Sequence, residues 1–270
     1  MTPFAEEREP FIIGQDDRVY AVYKPCGWHS VSQKKSDHSI VSWLYNQGIA
    51  GLKESLVGRE LGLVYRLDQA TSGILLFAAN RDSFIRLRQA QNELAIAKRY
   101  ISISAPSECE LPGSLPKTMK ERQSFFIEEL LSNKEVYIES YFRPYGPKGA
   151  LVSCIAPEFA SKSNKPITKD IYVSKYIAAY KVMEGSNAKL QLPIGVVCLE
   201  VEIHKGFRHQ IRAHSAWIGL PILGDMLYGE QDSNRLWLEA FLVCLPQQDG
   251  CRNEWKLYDG IKDIAQYLSI

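Results

Sequence analysis

Apolar and polar positions alternate along several short stretches of this chain, each bounded by turn residues. Val19 to Tyr23 is rich in β-formers and predicts a strand, which Lys24-Pro25-Cys26-Gly27 stops. Ser39 to Tyr45 carries a possible N-cap serine ahead of apolar spacing and predicts a short helix. In Val64-Tyr65-Arg66-Leu67-Asp68, read as a strand, Arg66 and Asp68 point to the same face, and on a buried face the two charges need pairing. The turn after Asp68 ends that strand, and Ile74 to Ala79 predicts the next. Asn80-Arg81-Asp82 opens a helix through about Glu93, whose Phe84, Ile85 and Leu87 favour a partly buried face. Tyr100 to Ser104, Asp170 to Met183 and Gly195 to Ile203 predict further strands. Ile211, His214, Trp217 and Ile218 recur at helical spacing, so a helix starts near Arg208. Leu236 to Leu245 is strand-like, and a strand or helix closes the chain.

Residues 105 to 170 break this rhythm. They are rich in Pro, Gly, Ser and Lys, with one helix-like patch near 120 to 133, and read as a surface insertion. Gly219, Pro221, Gly224, Asp225, Tyr228 and Gly229 read as a shaped loop that Asp225 and Tyr228 hydrogen-bond in place.

Composition changes the picture little, and charge changes it more. A chain of 270 residues can bury a substantial core. No apolar run approaches the roughly 18 residues that span a bilayer, and Met1 to Pro10 lacks an apolar signal core. A cytoplasmic location is the expectation, or an organellar one whose targeting segment is not included. Six cysteines at 26, 109, 154, 198, 244 and 251 form no Cys-x-x-Cys and no zinc spacing, so they read as thiols in a reducing compartment. The net charge is only +1, yet residues 21 to 224 hold 26 basic and 18 acidic side chains while both flanks are acidic. A basic middle offers a face for phosphates.

Two segments carry candidate chemistry. One is Arg66-Leu67-Asp68 with Thr71-Ser72-Gly73. The other runs from His209-Gln210-Ile211-Arg212-Ala213-His214 through Gly219-Leu220-Pro221-Ile222-Leu223-Gly224-Asp225 to Tyr228-Gly229. With Lys24-Pro25-Cys26-Gly27 and Lys98-Arg99-Tyr100, they stand in the order found in the RluA-type pseudouridine synthases, and the chain resembles that family. The resemblance implies an α+β fold with a mixed, largely antiparallel central sheet and flanking helices. It implies one catalytic domain over 1–270, with the insertion at 105–170. With about 18 residues before the first strand, no separate N-terminal RNA-binding module is expected.

The implied activity is isomerisation of uridines in transfer or ribosomal RNA, which requires neither metal nor cofactor; a monomer without membrane association is the default expectation. That reaction breaks the ribose–nitrogen bond of uridine, turns the base and rejoins it through carbon. It needs a placed carboxylate and an enclosed pocket. By resemblance Asp68 is the carboxylate, Arg212 its cationic partner, and Tyr100 the ring that stacks on the flipped base. Arg66 occupies the vacated space in RNA, Ile211 floors the base, and His209 and Lys98 join the substrate-binding set. Lys24 is expected to cap its turn or touch phosphate. Two departures stand out: Tyr65 replaces the usual His before Arg-Leu-Asp, and Phe207 replaces an Arg before His-Gln-Ile-Arg. They leave open a second reading, an RNA-binding or chaperone protein that keeps the fold without catalysis. A third, a glycosidase-like enzyme, lacks a second opposed carboxylate.

Overall fold

The computed structural model describes residues 3–4, 9–32, 38–48, 60–107, 128–132, 134–182, 195–229, 233–246 and 252–268. In chain order the elements are Phe11–Gln15 (β1), Val19–Lys24 (β2), Ile40–Asn46 (α1), Ser72–Ala78 (β3), Arg81–Asn92 (α2), Ala97–Ser104 (β4) and Val136–Tyr145 (β5). Then come Leu151–Ile155 (β6), Tyr172–Lys181 (β7), Val197–Ile203 (β8), Gln210–Trp217 (α3), Leu238–Pro246 (β9), Arg252–Lys256 (β10) and Ile261–Leu268 (α4). The class is α+β. None of the described helices is long and apolar enough to cross a membrane.

The chain divides into two compact units. The first takes Met1–Lys98 together with Glu239–Asp259. Its strands run in the order β1-β2-β3-β9, with β10 on β9. All its pairings are antiparallel except β3 with β9, which is parallel and registers Ser72 on Glu239 and Gly73 on Ala240. Every residue of β3 is buried, as the run Ile74-Leu75-Leu76-Phe77 requires. Gly73, at φ +122°, is where β9 comes closest: a Cβ there would lie 2.3 Å from the Ala240 carbonyl oxygen. Only glycine meets both demands. Ser39 caps α1 by accepting from the Ser42 N–H, and Asn80 caps α2 by accepting from the Ser83 N–H.

The second unit takes Arg99–Leu238 with Gly260–Ile270. Its strand order is β4-β8-β7-β5-β6. The pairings of β5 with β6, β5 with β7 and β7 with β8 are antiparallel. All eight residues of α3 are buried, including Arg212 and His214. Such burial requires a partner for each polar side chain. His214 has one on either side, Ser140 Oγ at 2.9 Å from Nε2 and Ser174 Oγ at 2.8 Å from Nδ1. Burial lowers its pKa to about 3, so the ring is neutral.

Three expectations need correction. Residues 64–68 form no strand. Leu63 makes an isolated bridge to Phe77, and the chain beyond it is irregular, with Arg66 exposed and Leu67 buried. Ile85 in α2 is also exposed: a helix turns about 100° per residue, so Phe84 and Leu87 can be half-buried while Ile85 faces water. Finally, the stretch read as a surface insertion contains β5 and β6. Ile138, Ser140 and Phe142 are buried, while Tyr137 and Glu139 are exposed. That alternation hid behind a buried serine. Residues 108–127 of the same stretch lie outside the described residues.

Candidate active site

Asp68 sits in a turn whose backbone is held from outside. The Thr71 N–H donates to the Asp68 carbonyl at 3.1 Å. Leu67, the residue before Asp68, is gripped at both backbone polar groups by one hydroxyl. Ser30 Oγ accepts from Leu67 N at 3.0 Å and donates to Leu67 O at 2.9 Å. Gln69, the residue after, is gripped by the turn that ends β2. Its carbonyl accepts from Gly27 N at 2.9 Å and from Lys24 Nζ at 2.9 Å, and its side-chain amide donates to Gly27 O at 3.1 Å. Cys26 Sγ reaches the Ala70 carbonyl at 3.0 Å. The Asp68 side chain itself is half-buried.

Lys24 is the centre of this clamp. It is fully buried, and Nζ donates to Pro25 O at 3.0 Å, Trp28 O at 2.7 Å and Gln69 O at 2.9 Å. An ammonium has three protons and meets three carbonyls. Burial lowers its pKa to about 7, against the pull of Cys26 and Asp68 in the other direction. The expectation that Lys24 caps its turn holds, and the cap reaches the loop of Asp68 as well.

The residues after Asp68 are tied down separately. Ser72 Oγ donates to Glu239 Oε1 at 3.1 Å, and Tyr23 OH donates to the same oxygen at 3.0 Å. Tyr258 OH and the Phe4 N–H donate to Oε2 at 2.9 and 3.2 Å. Glu239 is 0% exposed, and these four donors replace water around it. Tyr65 OH donates to the Ile74 carbonyl at 2.9 Å, and the ammonium of Lys98 lies 4.9 Å from the centre of the Tyr65 ring. Burial lowers the Lys98 pKa to about 8. Tyr65, a departure from the family pattern, thus helps brace β3. Arg66 extends outward and pairs with Glu60.

The second unit holds Tyr100, His209, Ile211 and Arg212. Tyr100 and Ile211 are buried. The guanidinium of Arg212 grips Asp225 through both carboxylate oxygens, Nε to Oδ2 at 2.7 Å and Nη2 to Oδ1 at 2.6 Å. Oδ1 also accepts from the N–H groups of Leu227 and Tyr228 at 3.0 and 3.2 Å. Tyr228 stands 5.4 Å under the guanidinium, and its hydroxyl meets Val152 N at 3.0 Å and His209 Nδ1 at 2.9 Å. Burial raises the Tyr228 pKa. The 219–229 loop is therefore shaped by Asp225 and Tyr228, as its sequence suggested. Gly224 (φ +71°) touches the Arg235 carbonyl so closely that no Cβ fits. Gln210 fastens the start of α3 by accepting from Phe207 N at 2.9 Å and donating to Val173 O at 2.9 Å. Phe207, the other departure, stacks on Phe142 with ring centres 5.0 Å apart.

Sequence reasoning missed Ser30, Glu239 and the Arg212–Asp225 pair. Ser30 and Glu239 carry no local signal, because their partners are 37 and 167 residues away in the chain. A fork-shaped cation and a carboxylate 13 residues apart in neighbouring motifs were the available clue to the pair.

Known proteins resemble this chain along most of its length. The chain is 27% identical over 245 residues to "Ribosomal large subunit pseudouridine synthase C" of Rickettsia felis, covering 88% of this chain and 63% of that protein. An "Uncharacterized RNA pseudouridine synthase" of Helicobacter pylori is 25% identical over 271 residues, covering 95% of this chain and 68% of that one. The chain spans about three-fifths of the length of the Rickettsia relatives. Among solved structures, "Human RNA Pseudouridylate Synthase Domain Containing 1" superposes with a TM-score of 0.60 at 17% identity, over 96% of this chain and 94% of that one. "Human RNA Pseudouridylate Synthase Domain Containing 4" gives 0.58 at 16%, over 95% and 92%. Both likenesses concern the fold. The model of the family described as RNA pseudouridylate synthase matches residues 18–217, and this chain belongs to that family, in its RluA-type group.

Proposed function

We propose that this chain isomerises specific uridines in RNA to pseudouridine, with Asp68 as the carboxylate that acts on a flipped-out nucleotide. The observation that carries the reading is the clamp on the Asp68 turn. Ser30, Lys24, Cys26 and Gly27 hold the backbone of residues 67, 69 and 70. A group that must meet a reacting atom gains from a frame fixed in advance. The isomerisation is redox-neutral: the bond from ribose C1′ to uracil N1 breaks, a bond from C1′ to C5 forms, and the hydrogen on C5 leaves to solvent.

In this reading Tyr100 stacks on the base and takes the proton from C5, and Arg212 is the cationic member of the catalytic set. Ile211, His209, Lys98 and Arg66 serve substrate binding. Arg66 is exposed and flexible enough in type to enter the space that the flipped base leaves. The protein acts as a cytoplasmic monomer without cofactor or metal. The substrate is transfer or ribosomal RNA, and the ribosomal pool comes first because the Rickettsia relatives bear that name.

The test is tritium release from RNA labelled at C5 of uridine. Transfer and ribosomal pools come from cells lacking the protein, and wild type is compared with Asp68→Asn. Release by wild type alone supports both the reaction and its carboxylate. No release from either pool by a folded, RNA-binding protein overturns the proposal in favour of a binding role.

A further inference from the structure

Two hydrogen bonds to one phenol in the second unit fix where a histidine carries its proton. Tyr228 is buried, and its hydroxyl oxygen accepts the N–H of Val152 at 3.0 Å. A backbone N–H can donate and never accept, so the hydrogen of the phenol is left for another contact. That contact is Nδ1 of His209, at 2.9 Å. Burial holds the Tyr228 hydroxyl above the ordinary tyrosine range, so its hydrogen stays on the oxygen. A buried hydroxyl hydrogen without an acceptor is costly, so Tyr228 donates and Nδ1 accepts. A nitrogen that accepts carries no hydrogen of its own. The neutral imidazole of His209 therefore carries its single hydrogen on Nε2.

The frame around this pair is stiff. The Tyr228 N–H donates to Asp225 Oδ1 at 3.2 Å, so the tyrosine is tied at its backbone as well as at its hydroxyl. The two rings meet edge to face, with centres 5.6 Å apart and planes at 78°. His209 itself stands directly before α3 with φ +58°, in the left-handed region. Glycine adopts that conformation without strain, and histidine does not. A histidine kept there has a use for its side chain. The ring is half-buried, with Nδ1 turned to the buried phenol and Nε2–H turned away from it.

We infer that Tyr228 sets His209 as a fixed, uncharged Nε2–H donor to an oxygen of the RNA, either a phosphate oxygen or a uracil carbonyl. Both oxygens are acceptors, and a ring with the opposite tautomer would offer them a lone pair instead. His209 is then a binding residue whose hydrogen is in place before the RNA arrives. Tyr228 is a positioning residue that acts through it. Neither takes part in bond making. The inference deepens the reading that the substrate is RNA, and rests on it.

The experiment uses the full chain with 15N-labelled histidine. Long-range proton–nitrogen spectra separate a bare ring nitrogen from a protonated one, and His209→Asn assigns the signal among the five histidines. The expected result is a bare Nδ1 and a protonated Nε2 in wild type, and mixed tautomers in Tyr228→Phe. A protonated Nδ1 in wild type overturns the inference. A second measurement does not depend on the folding of Tyr228→Phe. The amide nitrogen of Gln falls at the place of Nε2 and that of Asn at the place of Nδ1. In filter binding to the ribosomal and transfer RNA pools, His209→Asn should bind about fivefold more weakly and His209→Gln within about twofold of wild type, each checked by thermal melting. Binding by His209→Asn equal to wild type overturns the donor role. Titration with inorganic phosphate and with uridine then names the oxygen: the first moves the Nε2 signal for a phosphate contact, the second for a carbonyl. None of these readouts needs catalysis. If wild type releases no tritium while they come out as expected, the isomerase reading falls and this one stands.

Discussion

The Asp68 turn and the Arg212 loop solve opposite problems. Around Asp68 the fixing is done by neighbours acting on backbone: one serine on Leu67, one lysine and one glycine on Gln69. Around Arg212 it is done by side chains acting on each other, a forked guanidinium on a buried carboxylate. The first arrangement fixes the backbone that carries a half-buried side chain. The second pairs two buried charges and shapes a loop with them. A carboxylate's environment thus separates a reactive candidate from a structural one better than its charge does.

That contrast can be broken at either end. Replacing Asp68 with Asn should have the largest functional effect. Tritium release falls by on the order of a thousandfold or more, and the melting temperature stays close to that of wild type. Replacing Asp225 with Asn should have the larger effect on stability. It leaves Arg212 buried against a neutral partner and costs about 3–5 kcal/mol of stability, read by denaturant unfolding. If Asp225→Asn were as stable as wild type, the comparison would collapse. Lys24→Met sharpens the first half. It keeps the volume but removes the ammonium from three carbonyls, of which Gln69 O keeps the Gly27 N–H, for a loss of about 3 kcal/mol, and a kcat that falls further than stability explains would tie the clamp to the aim of Asp68.

The smallest effect is in the charges of β8. Hydrogen bonds from His204 and Arg99 hold the Glu202 carboxyl at about pH 2 against an ordinary 4.5. Its folded pKa is lowered, so its stabilisation is complete above pH 4.5 and drains away as pH falls toward 2. Arg99 and His204 are partly exposed, so the effect is less than about 1 kcal/mol. Melting between pH 5 and 2 should fall less steeply in Glu202→Gln.

Much of this was legible because the elements announce themselves locally. Ser39 and Asn80 marked helix starts that the structure keeps, and the apolar run after Gly73 marked a strand buried along its whole length. Two features were not legible. Arg66-Leu67-Asp68 alternates like a strand, but the turn at 68–71 and the bonds from Ser30 hold it in irregular form, and no local pattern contains Ser30. In β5 the alternation exists, but Ser140 fills a buried place because His214 needs a hydrogen-bond partner there. Buried polar positions serve long-range partners, and a window of a dozen residues does not hold both.

The parallel contact between Ser72-Gly73 and Glu239-Ala240 has a further consequence for biosynthesis. The first unit begins at the N-terminus yet is completed by Glu239–Asp259, so its last strands leave the ribosome after the whole of 99–238. At ordinary elongation rates that is a wait on the order of ten seconds. During it Tyr23 and Ser72 lack Glu239 as acceptor, and the Ser72-Gly73 end of β3 lacks its parallel neighbour, while Leu63 already bridges Phe77 at the other end. The nascent chain thus carries a short unpaired strand end beside the Asp68 turn for that interval, which the arrival of Glu239-Ala240 closes.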